Sequence, residues 1–321
     1  RRIIRLFVLP EPFVYEPWLY MVRALEGYRT EEIYVNYTRR VKTFGFIDLN
    51  KPSGCSSAVF VAKIKRLTGQ PCGHLGTLDP LANGVLPVGI GNANRLFNYF
   101  LNKEKEYIAR FKFGETSDTL DSTGEIVKGG DVPSEAEIME ILPDFLGEIS
   151  QVPPKYSAKS VGGRRGYALA RAGVEFELAP KRVRVDCFEF LGRGEEENEF
   201  VFKIRCGAGT YIRSLARDVA AALDTQGLMS ALTRTKSGCF TLENAVSPDE
   251  LTEENIESYI IPTESVLPLP RLSVGENNRV FTGVKTATDA ADGEYKLYRG
   301  DTFYGLAEVK NGMFGAVTKL C

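Results

Sequence analysis

One carboxylate, one imidazole, one phenol and one guanidinium stand in this chain where their neighbours would let them do chemistry. Asp79 lies in CGHLGTLDP (72–80), a Gly- and Pro-punctuated polar loop between apolar runs, the kind of place that carries reactive side chains. An ionised carboxylate there could stabilise a developing positive charge, bond to an electrophilic carbon or help move a proton. An Asp before Pro is also an ordinary turn former. His74, the only histidine, opens the same loop and reads equally as a locally satisfied side chain or as a working one. Tyr107 falls on the apolar face of an alternating segment, where a tyrosine usually belongs to the core. Arg213 follows the bend GAGT (207–210) at a helix start, where a cation opposes the helix dipole and calls for a carboxylate or phosphate. Taken singly, none of the four is decided.

A single histidine removes two-histidine acid–base schemes, H-E-x-x-H proteases and His-rich metal sites. The six cysteines, at 55, 72, 187, 206, 239 and 321, contain no C-x-x-C pair and are read as reduced thiols, mostly in the core. Lys plus Arg number 40 against 42 Asp plus Glu, so any nucleic-acid partner must be held by local basic faces. One such face is the stretch 155–184. It holds eight basic residues (Lys155, Lys159, Arg164, Arg165, Arg171, Lys181, Arg182, Arg184) against two Glu, with Tyr156 and Tyr167 interleaved. That composition suits phosphate tracking with stacking platforms, and equally a solvated face. A second concentration, 39–66, has seven basic residues and one Asp.

With 321 residues the chain has room for about two domains of roughly 150 residues each. No apolar run reaches 18 residues and the start is broken by Pro10, Pro12 and Pro17, so a cytoplasmic protein is expected, with no membrane span. Residues 1–40 lack periodicity and receive no function. From Val41 the pattern predicts a strand ending in a Pro-Gly turn, then a helix capped by Ser57, carrying Ala58, Val61, Ile64 and Leu67, and stopped by Gly69. A strand at 85–90, a helix around 93–101 and an alternating strand with Tyr107, Ala109, Phe111 and Phe113 on one face follow. Ser134 and Glu137 form a capping box for a helix that Pro143 ends. Strands at 182–191 and 199–206, a helix at 211–223, a helix start at Ser247–Pro248 and short strands over 271–321 complete the reading. Strands and helices do not alternate strictly, which argues for an α+β fold with a mixed, mainly antiparallel sheet and a small C-terminal β-rich domain.

Five motifs in order carry a resemblance. GHLGTLDPLANGVLPVGIG (73–91), KEYIARFKFGETSDTLDSTGEI (105–126), VPPKYSAKSVGGRRGYALARAG (152–173), GTYIRSLARDVA (209–220) and LTRTKSGCF (232–240) are similar to the successive motifs of the stand-alone bacterial tRNA pseudouridine-55 synthases. The resemblance spans about 220 residues, from near Lys42 to near Pro262, and leaves out 1–40. It implies a catalytic domain over 41–262 of the pseudouridine synthase type, with a thumb-like basic insertion at 152–184. Residues 271–321 would be a PUA-like domain.

The resemblance further implies isomerisation of the uridine at position 55 in the tRNA T loop. Asp79 would be the essential carboxylate, Tyr107 would stack on the flipped base and Tyr211 would line the pocket. Arg213 would face Asp79, His74 would enter the RNA loop, and the basic insertion would hold phosphates. Leu75 departs from the pattern, which usually has Thr there. Isomerisation rejoins the same base to the same sugar without net oxidation, so no cofactor and no metal is expected. The partner would be a tRNA T-arm, met by a monomer with no obligatory protein partner. An RNA-folding chaperone, a guide-RNA-dependent synthase and an aspartate-dependent hydrolase are the other readings. The last would need Asp118 or Asp121, whose setting TSDTLDSTG reads more simply as a turn.

Overall fold

The computed structural model describes residues 44–157, 160–161, 164–165, 174, 176 and 178–320. Its strands are β1 (Gly45–Lys51), β2 (Cys72–His74), β3 (Asn83–Ile90), β4 (Lys105–Phe113), β5 (Glu115–Ser117), β6 (Ile126–Lys128), β7 (Gly147–Gln151), β8 (Ser160–Val161) and β9 (Arg164–Arg165). They continue as β10 (Lys181–Arg193), β11 (Glu199–Cys206), β12 (Gly227–Ser237), β13 (Phe240–Thr241) and β14 (Ile261–Pro262), then β15 (Arg271–Val274), β16 (Thr286–Ala287), β17 (Gly293–Arg299), β18 (Thr302–Lys310) and β19 (Met313–Lys319). The described α-helices are α1 (Ser57–Thr68), α2 (Phe97–Leu101), α3 (Glu135–Ile141) and α4 (Ile212–Ala222).

Ten strands form the central sheet, ordered β14-β1-β3-β12-β4-β11-β10-β7, with β2 on β3 and β13 on β12. Every pairing is antiparallel except β12 with β3, so the sheet is mixed and mainly antiparallel as expected. The alternation in β4 is realised residue by residue: Tyr107, Ala109, Phe111 and Phe113 are buried and the residues between them are half-buried. Helix α4 buries Ile212, Leu215, Ala216, Val219 and Ala220 and packs on β4 and β12. Each large apolar side chain so buried contributes roughly 1.5–3 kcal/mol.

Local signals hold with instructive shifts. Gly69 ends α1 in the left-handed region, φ 64°, its N–H donating to Lys65 O at 3.0 Å. The N-cap position is Ser56, not Ser57, and the buried residues are Ser57, Phe60, Ile64 and Thr68; of the expected stripe Ile64 is buried, Val61 and Leu67 are half-buried against the core and Ala58 is exposed. The Ser134–Glu137 capping box is present, and Pro143 turns the chain into a 3₁₀ turn. The expected helix at 93–101 is a 3₁₀ turn (Gly91–Leu96) followed by the five-residue α2. Asn94 Nδ2 donates to Pro71 O and Gly91 O, both at 3.0 Å, competing with regular helix bonds. Ser247–Pro248 likewise starts only a 3₁₀ turn.

A five-stranded sheet, β15-β17-β18-β19-β16, holds residues 271–319. It is not packed around its own core alone. Leu306 and Leu320 share a hydrophobic cluster with Phe46, Val85, Phe100 and Phe240, and Arg95 and Asn92 donate to Lys319 O and Leu320 O. Of the five described cysteines only Cys206 is buried, so the expectation of mostly core thiols fails: Cys55 and Cys239 lie on exposed turns. No described helix is long and apolar enough to cross a membrane.

Candidate active site

Asp79 and Arg213, 134 residues apart in sequence, meet in a two-point ion pair. Arg213 Nε donates to Asp79 Oδ2 at 2.9 Å and Nη2 to Oδ1 at 3.2 Å. The same guanidinium donates to Thr119 O at 2.9 Å and Tyr156 O at 3.0 Å. The asymmetry matters: the Arg213 side chain is 6% exposed and Asp79 35%, so the cation is fixed inside while the carboxylate opens to solvent. A fork of this kind fixes the carboxylate plane as well as its charge.

Arg213 is on the first turn of α4, against the dipole, and its carboxylate and carbonyl partners supply the compensation expected from sequence. The helix start is tied to the end of β7. Buried Gln151 accepts from Tyr211 N–H at 2.9 Å and donates to Tyr211 O at 3.1 Å, while Ser214 and Arg217 both donate to Val152 O. Tyr211, half-buried, thus stands at the cap position of the helix that aims Arg213.

The loop bearing Asp79 is held carbonyl by carbonyl. Arg234 donates to Gly76 O (3.0 Å) and Thr77 O (3.4 Å), and Ser57 Oγ both donates to Leu78 O (2.9 Å) and accepts from Leu78 N (3.0 Å). Lys51 Nζ donates to Pro80 O (3.3 Å) and Ala82 O (2.6 Å), and Ser53 to Leu81 O (2.6 Å). Burial and the Arg234 cation pull the Lys51 pKa below its ordinary value. Ser57, expected as a cap, therefore serves the loop instead, and Lys51, counted in a basic surface stretch, is buried. Leu75 explains its departure from the motif: it is buried in the cluster with Phe46 and Val85, and its N–H donates to Pro87 O.

The turn at 117–123 is the expected turn but more than that. Asp121, its side chain 7% exposed, has Oδ2 3.7 Å from Arg213 Nη1, while Oδ1 accepts from Thr119 Oγ1 (2.8 Å) and Thr123 N (3.0 Å). Leu120 sits at φ 58°, a strained value for a branched side chain, between the carbonyl and the carboxylate that face Arg213. Tyr156 Oη donates to Asp118 Oδ2 at 3.0 Å, linking this turn to the start of the basic stretch.

Tyr107 is the cross-strand partner of Arg234. Burial pushes the phenol pKa up to about 12. His74 ends β2, five residues before Asp79, and its Nδ1 is buried without a hydrogen-bond partner among the described residues. Burial and the Arg234 cation lower its pKa, so the imidazole is neutral at pH 7. It borders a groove shared with Val61, Lys65, Cys72 and Phe97.

The basic residues scatter. Lys155 and Lys181 are exposed, while Arg182 and Arg184, also exposed, pair with Glu148 and Asp186. Lys181, Arg182 and Arg184 belong to the start of β10, paired with β7, so this end of the stretch is central sheet and not an excursion from it. Arg164 and Arg165 form the short strand β9 opposite β8. Lys159, Tyr167 and Arg171, like residues 1–40, lie outside the described residues. Sequence reasoning missed Arg234 and Lys51, to which only the polar character of their motifs could have drawn attention, and it weighed Asp121 only for a hydrolase and read it as part of a turn.

Comparison with known proteins adds an independent finding. Residues 65–212 match the family model described as TruB family pseudouridylate synthase, N-terminal domain. A protein of Saccharophagus degradans named tRNA pseudouridine synthase B is 36% identical over 286 residues, 83% of this chain and 91% of its own. Synthases of the same name from Aquifex aeolicus (36% over 278 residues, 84% and 96%) and Synechocystis (41% over 239 residues, 72% and 80%) match as well. Among solved structures, an H/ACA ribonucleoprotein bound to a substrate RNA containing 2′-deoxyuridine is similar in fold, with TM-score 0.62, 26% identity and coverage of 91% of this chain and 88% of that one. The likeness reaches beyond the span carried by the five motifs. The chain belongs to the TruB family of pseudouridylate synthases.

Proposed function

We propose that the chain converts the uridine at position 55 of the tRNA T loop to pseudouridine, with Asp79 as the reacting carboxylate. The observation that carries the reading is the two-point pair of half-open Asp79 on buried Arg213. In the reaction the bond from ribose C1′ to N1 breaks, the uracil turns, and C1′ bonds to C5; the C5 proton is then lost and N1 gains one. As a nucleophile at C1′ or as a base toward the adjacent ribose carbon, Asp79 needs the same thing: an ionised oxygen held at the sugar. Arg213 supplies the counter-charge and the orientation. The uridine must leave its stack to arrive there, at a cost of a few kcal/mol. Tyr107 would stack on the extruded base, Tyr211 would line its pocket, and neutral His74 would enter the space the base vacates. Lys155, Lys181 and their neighbours would hold phosphates, which position the RNA without reading its sequence. Such a substrate would be met in the cytoplasm by a chain acting alone and without a cofactor.

The test is incubation of the purified chain with an unmodified tRNA transcript or T-arm hairpin, followed by mapping of pseudouridine. Product at position 55 in the wild type, and none with Asp79→Asn although RNA still binds, is the expected result. A wild-type chain that binds RNA but forms no product returns the RNA-chaperone reading. A second reading, guide-dependent action, is favoured by the fold likeness to an H/ACA ribonucleoprotein. Product on the bare hairpin without any other protein or RNA excludes it.

A further inference from the structure

Asp118 takes no part in the ion pair of Asp79 and Arg213, yet both of its carboxylate oxygens are seated. Oδ2 accepts from Tyr156 Oη at 3.0 Å, and Oδ1 lies over Gly124, where a Cβ would come within 2.3 Å of it. Tyr156 has a second handle. Its carbonyl accepts from Arg213 Nη2 at 3.0 Å, and Thr119, the neighbour of Asp118, offers its carbonyl to Nη1 at 2.9 Å. The chain is bent to suit: Ser157 N–H donates to Lys155 O at 3.0 Å, a three-residue turn centred on Tyr156 that leaves the carbonyl of Tyr156 for Arg213. The bonds close a ring, from the guanidinium to the Tyr156 carbonyl, from the Tyr156 hydroxyl to Asp118, and from the Thr119 carbonyl back to the guanidinium. The far end of the stretch 155–184 reaches the same helix start. Lys181 is the cross-strand partner of Gln151, whose amide holds Tyr211, and Arg184 O accepts from Gly207 N at 2.8 Å. Both ends of the stretch are thus tied to the first turn of α4 and the bend before it.

A fork of two bonds fixes a carboxylate and a guanidinium relative to each other, so the two could still tilt together as one plate. The carbonyls of Thr119 and Tyr156, on the remaining donors of Arg213, relate that plate to the fold. We propose that Tyr156 is a positioning residue for the isomerisation: its hydroxyl, seated on Asp118, sets the separation of the two carbonyls, and with it the tilt of Arg213 and the direction in which Asp79 meets the ribose. The inference rests on the isomerase reading above. Asp118 is then the anchor of the ring, and the Tyr156 hydroxyl, not its aromatic face, carries the effect.

The experiment compares wild type, Tyr156→Phe, Asp118→Ala and the double variant by single-turnover rate at saturating T-arm RNA, RNA dissociation constant and Tm, with every rate taken at a temperature where the variants compared are folded. Tyr156→Phe keeps the ring and removes one oxygen, and is expected to lower the saturated rate about three-fold or more while RNA affinity changes less than about two-fold. Asp118→Ala is expected to do the same, and the double variant to fall no more than about two-fold below the slower single variant, since both remove one bond. A bond that only held the fold together would lower Tm and leave the rate of the folded protein alone. A smaller loss of rate in either single variant, a parallel loss of affinity, or multiplying losses in the double variant overturns the proposal. Should one single variant not fold, the other decides alone, and failure of both to fold overturns positioning in favour of a purely structural bond. A wild-type chain that makes no pseudouridine sinks the isomerase reading instead, an outcome read before any variant.

Discussion

Arg213 faces two carboxylates that differ in their support. Asp79 has the fork of the guanidinium, whereas Asp121 stands at 3.7 Å and is held chiefly by hydroxyl and amide donors of its own turn. Arg213→Lys should therefore lower the isomerisation rate by about two orders of magnitude, since a point charge cannot reproduce the fork. Asp121→Asn keeps the turn's size but removes the second negative charge beside Arg213, and a smaller loss, about ten-fold, is expected in the same single-turnover assay. Asp48 presents a different case. It is buried in β1, its two carboxyl oxygens without a hydrogen-bond partner among the described residues, and its pKa is pushed up to about 7 because burial outweighs the Arg234 cation. A carboxyl that protonates more readily folded than unfolded stabilises the protein only while protonated. Stability should thus fall as pH rises from near 4 through 7, by on the order of 4 kcal/mol at most. Urea unfolding at pH 5, 6, 7 and 8 should show this slope in wild type and a flatter one in Asp48→Asn.

The loop around Asp79 and the helix α4 are short pieces whose shape is imposed from outside. Ser57→Ala removes two bonds from Leu78 in a buried setting and should cost about 1–3 kcal/mol, read as a lower midpoint in urea. This arrangement explains what the sequence could and could not tell. The facing of Asp79 and Arg213 was legible because each sits in a dense local motif, and the alternation of β4 and the capping box of α3 were legible because their partners lie within a few residues. Ser57, Lys51 and Arg234 act on carbonyls 21, 31 and 149 or more residues away. Nothing local distinguishes a lysine that reaches inward from one that faces water, and a serine two residues into a helix signal is as good a cap as the one before it. The 3₁₀ turn at 91–96 was misread as helix for the same reason: an asparagine bonded across to Pro71 decided it.

Under the proposed function, recognition and reaction fall, over the molecule as a whole, on different groups. The Asp79–Arg213 pair is buried on one side and neutralised internally, while RNA phosphates would meet exposed lysines and arginines. Substrate affinity should weaken about ten-fold or more between about 50 and 200 mM salt, with the rate at saturating RNA nearly unchanged. Lys181→Ala should flatten that dependence more than Arg184→Ala, because Arg184 is already paired with Asp186. The C-terminal sheet enters the same account through its seam with the turn at 91–96, where Arg95 and Asn92 clasp the last strand. A protein engineer wishing to move the Asp79 turn onto another scaffold would have to carry donors from β1, α1, α4 and β12 along with it, since a peptide of residues 76–82 contains none of those donors.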